Sequence, residues 1–146
     1  MPRVMIVEDD LTILENLSQL LRLNGLNVTE AHDGQMALEC LKHPDNQGVA
    51  APLMIVSDLM MPRMDGFELL RAVRSDPALK HLPFVLLSAR SDSSDLQQAF
   101  MLGANDYLIK PFEVEQLMDV IGIHLARTTV ANQRAVGQVN SDFFLE

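Results

Sequence analysis

Short runs of consecutive apolar residues, each ending at a residue with chemistry to offer, govern what this chain can fold into. Val4-Met5-Ile6-Val7 stops at Glu8-Asp9-Asp10, and Leu53-Met54-Ile55-Val56-Ser57 stops at Asp58. Phe84-Val85-Leu86-Leu87 stops at Ser88-Ala89, and Tyr107-Leu108-Ile109 stops at Lys110-Pro111. A run apolar on both faces suits an interior strand of a parallel sheet, which is covered by helices above and below. Helical spacing fills the intervals. Leu11, Leu14, Leu17 or Ser18, and Leu21 form one stripe, with Asp10 or Thr12 as the cap and Gly25 at the end. Asn27–Ala31 is a weaker strand ended by His32-Asp33-Gly34, and Met36–Leu41 is a short helix before a loop at Pro44–Gly48. Phe67–Arg74 turns Leu69, Leu70 and Val73 inward. A helix capped by Ser91 or Asp92 turns Leu96, Ala99 and Phe100 inward and closes at Gly103. The last helix carries Val114, Leu117, Met118, Ile121 and Leu125 on one face.

A strand followed by a helix, five times over, predicts an α/β fold: a parallel sheet with helices on both faces and right-handed crossovers. The domain is expected over residues 1–127. Residues 128–146 break the pattern, are mostly polar until Phe143-Phe144-Leu145, and read as a tail or a linker to an absent output domain.

Composition narrows the function. With 48% hydrophobic and 21% charged residues the chain should bury a core. Eleven Lys plus Arg stand against 20 Asp plus Glu, a formal charge of −9, so direct binding of nucleic acid by this chain is not expected. The lone Cys40 has no internal disulfide partner, which suits a reducing compartment. Met1-Pro2-Arg3 leads into too short an apolar run for a secretory signal, and Val49–Val56, interrupted by Pro52, is too short to span a membrane. The expectation is a cytoplasmic domain.

Ligands of open parallel sheets bind beyond the carboxyl ends of the strands. Glu8, Asp9, Asp58, Ser88 and Lys110 all fall there, drawn from distant parts of the chain. An acid after one strand is commonly a turn former; five such positions at one edge are poorly explained that way. Three close carboxylates repel unless they share a cation. Lys110 supplies one positive charge, and a divalent ion that keeps several waters and bridges to phosphate, such as Mg²⁺, would supply the rest. Metal, ammonium and hydroxyl together can hold the oxygens of a phosphoryl group. Ser88 has no evident general base, so Asp58 is the expected nucleophile, forming an acyl phosphate.

The quoted residues resemble a known family. Val7-Glu8-Asp9-Asp10, the run Asp58-Leu59-Met60-Met61-Pro62-Arg63-Met64-Asp65-Gly66, then Leu87-Ser88-Ala89 and Gly103-Ala104-Asn105-Asp106-Tyr107-Leu108-Ile109-Lys110-Pro111-Phe112 are similar to the response-regulator receiver domains of two-component signalling. The resemblance extends from residue 3 to about 126. It implies a doubly wound, flavodoxin-like sheet of five strands in the order 2-1-3-4-5. It implies Asp58 as phosphoacceptor, Asp9 as a direct Mg²⁺ ligand assisted by Glu8, and the backbone carbonyl of Met60 as a further ligand. Lys110 would pair with a phosphoryl oxygen, Ser88 would move toward the phosphoryl group, and Tyr107 would be the aromatic switch, turning inward as Ser88 moves. A cis bond before Pro111 is common in the family. The implied partners are a sensor histidine kinase or a histidine phosphotransfer protein, with a homodimer through the fourth helix, fifth strand and fifth helix. Met60 and Arg90 occupy the positions at which the family varies phosphate lifetime.

Three other readings compete. An aspartyl phosphatase needs a second acid two residues after its nucleophile, where this chain has Met60. A nucleotide or flavin binder needs a Gly-rich loop after the first strand, where three acids stand. A receiver-like interaction module that is never phosphorylated has no need of the full residue set. The four histidines, His32, His43, His81 and His124, show no metal-ligand spacing. The receiver could also be part of a hybrid kinase or a transcription regulator.

Overall fold

A computed structural model describes residues 2–43 and 51–136. The apolar runs form strands β1 (Arg3–Val7), β3 (Met54–Asp58), β4 (Phe84–Ser88) and β5 (Asp106–Ile109), and the weaker segment forms β2 (Asn27–Ala31). The helices are α1 (Leu11–Leu23), α2 (Gly34–Lys42), α3 (Gly66–Ser75), α4 (Ser93–Met101) and α5 (Val114–Val136). All neighbouring strands pair in parallel, in the order β2-β1-β3-β4-β5. The expected doubly wound α/β sheet is the fold found. The loop expected at Pro44–Gly48 and the apolar Phe143-Phe144-Leu145 lie outside the described residues.

Strand alternation sorts the core into two layers. Met5, Val7, Ile55, Phe84 and Leu86 point to one face, where α2, α3 and α4 cover them with Ala37, Leu41, Leu69, Leu70, Val73 and Ala99. Val4, Ile6, Met54, Val56, Val85 and Leu87 point to the other, under Leu14 and Leu21 of α1 and Leu117 and Ile121 of α5. Every residue of β3 and β4 is buried, as central strands require. The edge strands β2 and β5 are only partly buried, which is why Asn27–Ala31 carries the weaker apolar signal. Each large side chain sealed between layers contributes on the order of 1.5–3 kcal/mol.

The caps follow the local chemistry. Asp10, rather than Thr12, caps α1 by accepting from Thr12 N–H at 3.0 Å and Ile13 N–H at 3.1 Å. Asp33 caps α2, and Asp65 with Glu68 forms a capping box on α3. Asp92 occupies the N-cap position of α4 but makes no side-chain cap bond. Gly66 is required by close approach: a Cβ there would stand 2.6 Å from the Asp58 carbonyl oxygen. That contact seats the start of α3 against the end of β3.

Some expected inward side chains point out. Phe100 is half exposed, because Asp95 and Ala99 define the inner line of α4 and Phe100 lies a further 100° round. Leu11 and Val114, each the first residue of its helix, are exposed; Ser18 is fully buried between Leu14 and Leu21. Helix α5 continues to Val136, nine residues past the boundary expected at 127.

Candidate functional site

The chain reverses direction after every strand, so the carboxyl ends of β1, β3, β4 and β5 lie along one edge. Asp58 is the last residue of β3 and is buried. Glu8 follows β1, is also buried, and accepts a hydrogen bond from Asp10 N–H at 3.1 Å. Asp9 is exposed beside it. Carboxylate oxygens of Glu8, Asp9 and Asp58 lie within 4.8 Å of one another.

Lys110 reaches this cluster from the end of β5. Its backbone N–H donates to the Ser88 carbonyl at 2.8 Å, and the Lys110–Pro111 bond is cis. Its Nζ donates to Asp58 Oδ1 at 2.8 Å and lies 3.4 Å from Glu8 Oε1. Ser88, buried at the end of β4, accepts at Oγ from Arg90 N–H at 3.0 Å. Tyr107 is buried with its ring inward, and its hydroxyl donates to the Arg90 carbonyl at 2.8 Å. Met60 is exposed, its sulfur 3.6 Å from Arg90 Nη1.

The site's charges are unbalanced. Burial pushes the Asp58 carboxyl above its ordinary value, opposed by the Lys110 hydrogen bond and reinforced by Asp9. Burial likewise raises Glu8, against the Asp10 N–H bond and with the Asp58 charge adding to the rise. Burial alone would lower Lys110, but its contacts with Asp58 and Glu8 outweigh that and hold it above its ordinary value. Three acids facing one ammonium leave a cation deficit, and clustered carboxylate oxygens are the donors a hard divalent ion takes. The residues therefore fit a metal ion of that kind.

Glu8, Asp9, Asp58, Ser88 and Lys110 lie along this one edge, while Tyr107 sits within β5 and reaches the loop after β4 through its hydroxyl. Two further interactions carry no sequence signal. The buried His124 of α5 lies 3.3 Å from Asp106 of β5, and Asp95 of α4 pairs with Arg90 at 3.2 Å. Each joins residues from different elements, and neither has a motif to mark it.

Known proteins share this architecture. The chain is 37% identical over 141 residues to "Response regulator MprA" of Mycobacterium ulcerans, covering 97% of this chain and 57% of that protein. It is 36% identical over 137 residues to the "DNA-binding dual master transcriptional regulator RpaA" of Synechocystis, covering 92% of this chain and 54% of the relative. The chain thus spans little more than half the length of these curated relatives. Among solved structures, a putative response regulator from Chloroflexus aurantiacus matches at TM-score 0.75 and 37% identity, over 86% of this chain and 99% of that one. The chemotaxis protein CheY4 of Vibrio cholerae matches at TM-score 0.75 and 32% identity, over 85% and 98%. Residues 4–122 match the family described as the response regulator receiver domain, and with this fold and this acidic edge the chain belongs to that family, the receiver domains of two-component signalling.

Proposed function

We propose that Asp58 accepts a phosphoryl group from the phosphohistidine of a sensor kinase or histidine phosphotransfer protein. The observation that carries this reading is the buried Asp58 carboxylate, held by Lys110 at 2.8 Å and faced by Glu8 and Asp9. An Asp58 oxygen attacks phosphorus, the phosphorus–nitrogen bond breaks, and the leaving imidazole keeps its electron pair and takes up a proton. Lys110 offsets charge on a phosphoryl oxygen, and the Ser88 hydroxyl donates to another. Glu8, Asp9, Asp58 and the Met60 carbonyl would hold Mg²⁺. When bound, that ion neutralises the cluster and charge developing on the phosphoryl oxygens. Met60 supplies no acid to drive turnover of outside substrates, so the chain acts on its own phosphorylation state and not as a general phosphatase.

Ser88 and Tyr107 would transmit the modification to the face built by α4, β5 and α5, on which a second copy or another partner docks. Among the described residues no helix is long and apolar enough to cross a membrane, and a cytoplasmic location is proposed with the kinase partner. The net charge of −9 argues that any DNA contact of the kind in RpaA's name belongs to chain outside this domain.

Incubation with Mg²⁺ and acetyl phosphate should add one base-labile phosphoryl group, detected as a mass increase. Asp58→Asn should abolish it. Equal labelling of that variant would overturn the assignment.

A further inference from the structure

Arg90 is tied at four points. Its N–H donates to Ser88 Oγ at 3.0 Å, and its carbonyl accepts from the Tyr107 hydroxyl at 2.8 Å. Its Nε lies 3.2 Å from Asp95 Oδ2, and its Nη1 lies 3.6 Å from the Met60 sulfur. Both residues expected to switch are therefore bonded to the backbone of this one residue. Its side chain meanwhile runs from α4 to the loop after Asp58.

The tie to Asp95 stands out for two reasons. Asp95 is buried, and its Oδ2 makes no hydrogen bond among the described residues, so the guanidinium is what compensates its charge. The helices α1, α2 and α3 are each closed by an aspartate side chain, whereas α4 has no side-chain cap bond. The Arg90–Asp95 contact is thus the side-chain link that fastens the β4–α4 loop to α4. Asp95 sits in the first turn of α4, where the helix dipole favours a carboxylate.

We propose that Asp95 is a positioning residue for the switch. By gripping Arg90 it fixes the carbonyl that the Tyr107 hydroxyl needs, and so keeps the ring inward before any phosphoryl group arrives. The inference rests on the reading of Ser88 and Tyr107 as switch residues. A buried phenol without a partner is disfavoured, so releasing Arg90 moves the population toward a surface-facing ring.

The chain offers a direct reporter: Tyr107 is its one tyrosine and it has no tryptophan. Acrylamide quenching of tyrosine fluorescence in the whole chain therefore reads this ring alone. Asp95→Asn should raise the quenching constant about twofold or more, as expected for a population shift. Asp95→Glu, which keeps the carboxylate, should restore part of the protection. Arg90→Ala should match Asp95→Asn, and the double variant should add little, because both act through one contact. Wild-type quenching in Asp95→Asn, with unchanged far-ultraviolet circular dichroism, overturns the proposal. If that variant does not fold, the exposed Arg90→Ala decides alone: wild-type quenching there overturns the proposal equally. Beryllofluoride with Mg²⁺ on the wild type separates the two readings. Protection of residues around Asp58 alongside unchanged quenching in the variants rejects only the role of Asp95. Absence of any beryllofluoride effect rejects the phosphoacceptor reading beneath it.

Discussion

Glu8 and Asp58 show what burial does to acids gathered at one strand edge. Both are raised above their ordinary carboxyl values of 4.5 and 3.8, first by burial. A folded carboxyl with a raised pKa holds its proton more tightly than the unfolded chain does. Between the ordinary value and the raised one the folded state binds more protons, so stability falls as pH rises through that window. Lys110, also raised, acts in the opposite region: its contribution is complete below its ordinary value of 10.5 and is lost only as pH climbs through the higher folded value. In metal-free protein the contribution of these two carboxyls to stability should therefore fall as pH rises from their ordinary values through the raised ones. Glu8→Gln should flatten that fall, and Mg²⁺ should restore more stability to the wild type than to the variant. Thermal unfolding in chelator and in Mg²⁺, across the pH range, measures both. Identical pH profiles for the two proteins would remove Glu8 from the charge cluster.

Among the elements, α3 is held to the sheet by more than apolar packing. Arg74 in its last turn donates from Nε to the Gly103 carbonyl at 2.9 Å and from Nη1 to the Leu82 carbonyl at 2.7 Å and the Lys80 carbonyl at 3.0 Å. Its Nη2 donates to Asn105 Oδ1 at 2.8 Å, and the same oxygen accepts from Phe84 N–H at 2.9 Å. One guanidinium thus links the end of α3, the entry to β4 and the turn before β5. Replacing it with methionine keeps the stem and removes every donor, leaving the carbonyls of Gly103 and Leu82 without it. Arg74→Met should cost about 2 kcal/mol, discounted for partial exposure, in denaturant unfolding. It should leave the labelling of Asp58 intact, since no Arg74 contact reaches the acidic edge. A loss below about 0.5 kcal/mol, the ordinary range for an exposed surface change, would show these bonds to be replaced by water. Arg74 closes the helical pattern read as Phe67–Arg74, but its partners lie 6 to 31 residues away, beyond what local spacing reveals.

At the scale of the molecule, the sheet puts the chemistry at one edge and the proposed output on one flank. Ser88 ends β4 and Tyr107 lies in β5, both bonded to Arg90 before α4, and the His124–Asp106 contact at 3.3 Å ties α5 to β5. A ligand shifts a conformational equilibrium only through contacts that differ between states. Beryllofluoride with Mg²⁺ should therefore alter amide exchange within residues 88–126 and leave α1 and β2 largely unchanged. An exchange pattern unaltered over 88–126 would reject signalling through this flank.

What the sequence determined by itself was local. Apolar runs on both faces specify interior strands, and the residue after each run must stand at the strand's end; Asp58, Ser88 and Lys110 were legible for that reason, and the cap of α1 was legible as Asp10 or Thr12, whereas His32-Asp33-Gly34 read only as a turn and Asp33 proved to cap α2. The turn at Gly103, with φ of 100°, was legible because few side chains tolerate that backbone. Only tertiary structure decided the rest. The direction of Phe100 and Val114, the burial of His124 against Asp106, and the hold of Asp95 on Arg90 and of Arg74 on Gly103 depend on where separate elements come to lie. A side chain on a solvated helix face and one that bridges two elements have the same local spacing. Their difference is created by the packing of the chain against itself.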